Sequence, residues 1–329
     1  MIKPVLIFRL TIIIILTFLI AAQCQPTSQP TAESIAQPAT PSPPPFLIPP
    51  IQPGDGSDLI DRLLERGFIR VGVRVWPGAE FSPPAFRGFS HAETGGALNG
   101  FEVDIAHLVA EGLGLELELV EAYPPVIASG DWRGEWDIAI ASLTPFDQSP
   151  EIMAFSRPYA YVPMGVLIPA EADNVQTLGD LSNKKVGVLE YSTYQRLLAP
   201  EGQSLTVGAQ PLLTQIPTNV QPIPLSNLLK AIHELGDPEN EQEAQVEAIF
   251  GPTPIFREAI KSGLPVKLAP QTQHVGLQPL AIAVVPQDGL KVDRLLAEVN
   301  KILDRLQQQG ILAEIYLRWY EQDLSQISK

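Results

Sequence analysis

Ile69, Val71, Val73 and Val75 alternate with Arg70, Gly72 and Arg74. An apolar residue at every second position marks a strand with one buried face. Before it, Leu59, Leu63 and Leu64 stand at helical spacing between a capping Ser57 or Asp58 and Gly67. After it, residues 103–112 place Ile105, Leu108 and Val109 on one helical face. Leu115, Leu117 and Leu119 then alternate again, and 137–141 is a short apolar run. Such β-α-β-α-β alternation demands a mostly parallel sheet, because parallel neighbours need a long crossover and a helix supplies it.

The pattern then recurs. Residues 186–189 read as a strand, and Ser192 opens a helix with Gln195 completing a capping box. Residues 199–225 are rich in Pro and Gln and read as loop. Ser226 caps a helix that ends at Gly236, 246–250 is a strand, and Pro254 sits in the first turn of another helix. A strand over 280–285 precedes a long apolar stripe from Val292 to Leu306, a stop at Gly310 and a last helix through Trp319. The chain therefore reads as two α/β lobes with no evident internal repeat.

The front end reads as an address. Lys3 and Arg9 precede an apolar run from Leu10 to Ala22, which suits a signal-peptide core and is short for a bilayer span. Cys24, the chain's only cysteine, follows, and residues 25–54 hold ten prolines. A stretch of that composition stays extended, and over 24–57 it could reach on the order of 100 Å at about 3.1 Å per residue. The order resembles a bacterial lipoprotein precursor. That implies a signal peptide over 1–23 and lipidation of Cys24, although Gln23 stands where such signals usually carry a small residue. The alternative is ordinary secretion with cleavage near Ala21 and Ala22.

Composition removes several functions. The formal charge is 22 − 37 = −15, which is unsuited to gripping nucleic acid or an anionic membrane surface. One cysteine rules out a disulfide framework and an iron–sulfur cluster. His91, His107, His233 and His274 are not at metal-ligand spacing, and no nucleophile elbow, phosphate loop or dinucleotide fingerprint is present. No metal, no cofactor and no catalytic residue is expected.

Six segments in order carry a family resemblance. They are Phe68–Val73, Gly100–Ala106, Glu135–Ile138 with Ser142–Thr144, Phe155–Tyr159, Leu181–Val188 with Ser192–Thr193, and Gly310–Tyr320. Together they resemble the family 3 bacterial extracellular solute-binding proteins, the substrate-capturing subunits of ABC importers for amino acids and similar polar solutes. The resemblance implies a two-lobe periplasmic-binding-protein-like fold of type II, with two hinge strands and a ligand cleft between the lobes. Lobe one would span 58–163 plus 284–325, and lobe two 164–283. It implies an exported, lipid-anchored monomer at the outer face of the membrane that binds a small polar solute, serves an ABC permease and catalyses nothing. A ligand-sensing receptor, or a dehydratase derived from the same fold, stands as the alternative.

Ser142 and Thr144 follow a strand, and Ser192 and Thr193 open a helix. Hydroxyls and free backbone N–H groups there suit a polar or anionic group. The resemblance adds Phe81 as an aromatic platform, and Tyr123 could form a second aromatic wall. Two charge anchors of amino-acid-binding members are replaced here. Ser149 stands in place of an arginine for the ligand carboxylate, and Pro252 in place of an aspartate for its ammonium. Gln148 or Arg157 could stand in for the first, and Glu190 for the second.

Overall fold

The computed structural model describes residues 49–76, 89–92, 96–147, 149, 151–213, 217–237 and 246–326. The leader, Cys24, most of the Pro-rich segment, Phe81 and Gln148 lie outside the described residues. Residues 50–56 lie against the folded body: Ile51 packs on its core, Arg294 donates to the Gln52 carbonyl at 3.0 Å, and Asp61 accepts from Gly54 N at 2.7 Å.

The first lobe opens with α1 (Leu59–Arg66). Its N-cap Asp58 accepts from Ile60 N at 3.1 Å, and Gly67 ends it at φ 84°, a left-handed conformation that glycine adopts without penalty. β1 (Phe68–Val73) follows, then a small hairpin of β2 (His91–Ala92) and β3 (Leu98–Asn99). Next come α2 (Phe101–Leu113), β4 (Glu116–Glu121), α3 (Pro124–Ser129) and β5 (Ile138–Ile140). α3 was not foreseen. It starts on two prolines, whose missing N–H groups cost nothing in a first turn.

The long β6 (Ala154–Pro169) leads into the second lobe. There β7 (Lys185–Leu189), α4 (Thr193–Leu198), the hairpin β8 (Thr206–Val207) and β9 (Gln210–Pro211), and β10 (Gln221–Leu225) follow. α5 (Leu228–Gly236), β11 (Ala248–Pro252), α6 (Thr253–Lys261) and β12 (Val266–Leu268) complete it. β13 (Gly276–Val284) leads back, and α7 (Asp293–Gln308) and α8 (Ile311–Tyr320) close the chain.

Among the described residues nine strands form one sheet, ordered β10-β7-β11-β6-β13-β5-β1-β4 with β12 also on β6. Its centre is the antiparallel pair β6 and β13, paired from Gly276 opposite Met164 to Val284 opposite Ala154 with register shifts on either side of Ala281. On one side β5, β1 and β4 are mutually parallel; on the other β11, β7 and β10 are. Two parallel half-sheets are thus joined through two crossing strands. A large core packs both sides of the joint, and smaller clusters under Trp132 and Trp136 and around Tyr194 and Phe250 fill the remaining faces.

Three local expectations need correction. β10 runs through Gln221-Pro222-Ile223-Pro224-Leu225, read as loop from its prolines; it is an edge strand, the place where a residue without an N–H is tolerated. Asn227, not Ser226, caps α5, its side chain accepting from Lys230 N at 2.9 Å. The Gln195 side chain closes the turn before α4 on Tyr191 N, at 2.7 Å, rather than on Ser192.

Candidate functional site

Ser142 sits two residues beyond β5 at φ 55°, a strained angle for a residue with a side chain. Glu102, in the first turn of α2 and fully buried, holds it there. One carboxylate oxygen accepts from Ser142 N at 2.7 Å, Ser142 Oγ at 2.9 Å and Tyr159 Oη at 2.7 Å, and the other accepts from Ser90 Oγ at 3.2 Å. Burial pushes the Glu102 carboxyl above its ordinary value, against the pull of these donors. Leu143 O then accepts from Ala281 N at 2.8 Å, tying the turn to β13.

That turn brings Thr144 to the second lobe. Thr144 Oγ1 lies 2.7 Å from Thr193 Oγ1, at the start of α4. Gln278, on β13 beneath them, donates through Nε2 toward Thr193 Oγ1 at 2.9 Å, Thr144 Oγ1 at 3.1 Å and Ser142 O at 3.2 Å. Tyr194 Oη donates to Gln278 Oε1 at 2.6 Å. Thr144, Thr193 and Gln278 are all nearly buried, and they border a cavity of about 270 Å³ between the half-sheets. Trp76, Phe89, Met153 and Phe155 give it apolar walls.

Arg74 reaches into the same cavity from the end of β1. Its guanidinium donates to Glu190 O at 2.9 Å and Tyr191 O at 3.4 Å, on the opposite lobe. Burial pushes it down to about 10, so it is fully charged at neutral pH. Among the described residues no Asp, Glu, His, Cys or Lys lines the cavity, and no cluster of such residues could hold a metal ion. The polar groups of the described lining are hydroxyls, the Gln278 amide and guanidinium groups, all able to form hydrogen bonds.

Of the residues picked out from sequence, Ser142, Thr144, Ser192 and Thr193 all line this cavity. Ser192 caps α4, accepting from Gln195 N at 3.3 Å and donating to Leu189 O. Tyr123 is not brought to them: it precedes α3 and is 66% exposed. Ser149 lines the cavity, whereas Arg157 faces elsewhere and pairs with Asp304. Glu190 meets Arg74 through its backbone carbonyl. Sequence reasoning missed Arg74, Trp76 and Gln278. Their one signal was position, Arg74 and Trp76 beyond a strand's carboxyl end and Gln278 on a crossing strand.

Two parallel half-sheets, two crossing strands and a polar cleft between them define the type II periplasmic-binding-protein fold. The chain belongs to the bacterial extracellular solute-binding proteins, family 3, whose sequence profile matches residues 82–322. It is an extracellular solute-binding protein. A probable amino-acid ABC transporter-binding protein of Haemophilus influenzae is 24% identical over 239 residues, covering 72% of this chain and 82% of that one. A membrane-bound lytic murein transglycosylase F of Desulfosudis oleivorans is 25% identical over 228 residues, 67% of this chain but 44% of that protein. An ancestral arginine-binding protein solved with arginine shares the fold, with TM-score 0.60, 24% identity and coverage of 78% of this chain and 99% of that one.

Proposed function

We propose that this chain is the capture subunit of an ABC importer for an amino acid or a closely related solute, tethered outside the membrane by lipid on Cys24 after removal of residues 1–23. The observation that carries this reading is the meeting of Thr144 and Thr193, one from each half-sheet, over Gln278 on a crossing strand. Polar side chains from two lobes converge on a cavity the size of a small solute, and hinge motion about β6 and β13 would open and shut it. The Haemophilus influenzae relative, named as an amino-acid transporter-binding protein, supports the solute class and the partner. The lining supports reversible binding without turnover, since its described residues supply no general base. The protein acts as a monomer that meets the permease.

A thermal-shift screen against amino acids, carboxylates, polyamines and sugars tests the reading. A ligand at 100 times its Kd adds about 2.7 kcal/mol of stability, and X-ray scattering should show compaction on its addition. Silence across the panel overturns it.

A further inference from the structure

We propose that residues 50–57 are a strap through which the first lobe alone carries everything upstream of Pro50, at the end of that lobe away from the cavity, so that the second lobe can swing without moving the point where the tether leaves. Asp61, in the first turn of α1, is the clamp. Its carboxylate accepts from Gly54 N at 2.7 Å, from Gly56 N at 3.1 Å and from Arg294 Nη1 at 2.6 Å. Arg294 also donates to the Gln52 carbonyl, at 3.0 Å. One ion pair thus holds the strap's backbone at three residues, and hydrogen bonds to charged groups are the strong kind. The Gly54 amide, then Arg294, hold the Asp61 carboxyl below its ordinary 3.8, so the clamp is charged at neutral pH. Gly54 is required by shape: a Cβ there would run into the Arg294 guanidinium and come within 2.9 Å of Asp61 Oδ2. Ile51 adds an apolar contact with the core.

The strap joins the body at the far end from the cleft. Ser57 O accepts from Lys291 N at 2.9 Å, and the Asp58 carboxylate accepts from Arg294 N at 2.9 Å and Leu295 N at 3.2 Å. Those partners follow the end of β13, where Val284 stands opposite Ile138, the first residue of β5. The cavity lies past the other ends of β1 and β5, at Arg74, Trp76, Ser142 and Thr144. Among the described residues, the hydrogen bonds of residues 52–58 stay within the strap or go to α1, to α7 and to the loop before α7, all on the first-lobe side of the crossing strands. The tether then consists of residues 24–49, with an upper reach of about 80 Å at full extension.

Hydrogen exchange of the purified full-length protein, read by mass spectrometry over peptides spanning 50–58, tests the strap. In the parent the amides of Gly54 and Gly56 should exchange at least about tenfold more slowly than in an unstructured peptide of that sequence. Asp61→Ala and Arg294→Gln should each abolish that protection while the amides of β1 and β13 stay as slow as in the parent. Gly54→Val, which changes only the strap, should do the same at Gly56, and it decides if the other two variants do not fold. Asp147→Ala, which removes the acceptor of Thr206, Gly208 and Ala209 in the second lobe, should leave the strap protected. Unprotected strap amides in the parent overturn the inference, as does protection kept in the folded strap variants. Protection lost in Asp147→Ala overturns it too, because the strap would then depend on both lobes. Neither lipid nor solute takes part, so a failure here leaves the capture reading standing.

Discussion

Asp147, on the loop that follows β5, is clasped by Thr206 of the opposite lobe: Thr206 Oγ1 donates to its carboxylate at 2.7 Å, and Asp147 N donates to Thr206 O at 2.8 Å. Gly208 N and Ala209 N donate to the same carboxylate at 2.9 and 2.8 Å. Beside it Phe146 is buried among second-lobe core residues, with the Arg196 guanidinium 4.5 Å above its ring. The loop after β5 is therefore seated against elements of the opposite lobe by contacts that need no ligand.

This clasp has a defined pH response. Hydrogen bonds from Ala209, Thr206 and Gly208 hold the Asp147 carboxyl below its ordinary 3.8. A carboxyl lowered in the folded state stabilises it fully above the ordinary value, and that contribution fades as pH falls through the lower one. Asp147→Ala should enlarge the radius of gyration of the ligand-free protein at neutral pH and lower its thermal midpoint. Acidification below 3.8 should shrink the difference between variant and parent. Identical scattering curves at neutral pH would show that the clasp does not set the closure.

Glu102 has the opposite sign. Burial raises its carboxyl, so its contribution is complete below the ordinary 4.5 and is lost as pH rises through the folded value. Glu102→Gln keeps an oxygen for Ser142 and Tyr159, and Ser90 can turn to accept. Its denaturation free energy should lose part of the decline with rising pH expected of the parent. Glu102→Ala leaves the Tyr159 hydroxyl buried and unpaired, at about 1–3 kcal/mol, and takes the acceptor from the half-buried Ser142 donors at a smaller cost. Urea titration between pH 4 and 8 measures both, and a parent slope unchanged in Glu102→Gln would remove Glu102 as its source.

Periodicity made part of this molecule legible. β1, α2, α7 and α8 each bury an apolar stripe at the spacing of their own geometry, and that spacing is local. The cleft hydroxyls were legible for a similar reason: Ser142, Thr144, Ser192 and Thr193 sit at element ends that a sequence can mark. Arg74 was hidden because it reads as the polar member of an alternating strand, whereas β1 stops at Val73 and Arg74 lines the cavity. The Asp147 clasp joins residues about sixty positions apart, which no window detects. The prolines of β10 argued against a strand and were overruled by its place at the sheet edge.

Gly72 shows how tightly β1 is packed. A Cβ there would come within 2.8 Å of the Trp136 ring, which is 1% exposed and cannot retreat. Gly72→Ala should cost about 1–3 kcal/mol, the usual penalty of overpacking, read as a lower denaturation midpoint with an unchanged slope. A loss below about 0.5 kcal/mol would mean that the indole has room to move.

Thr193 is where affinity and stability can be separated. Its hydroxyl meets Thr144 at 2.7 Å and Gln278 at 2.9 Å, and the residue is buried. Thr193→Val keeps the branched shape and removes one hydroxyl. Thr144 and Gln278 stay bonded to each other at 3.1 Å, so no donor is stranded outright. The protein should stay within about 1 kcal/mol of the parent in stability. A solute oxygen or nitrogen that met this hydroxyl loses a hydrogen bond worth about 1 kcal/mol, which is about fivefold in Kd. Thr144→Ala should weaken binding to a similar degree from the opposite lobe. Calorimetric titration of both variants with the solute found by screening decides the matter: unchanged affinity in both would put the ligand away from the Thr144–Thr193 contact.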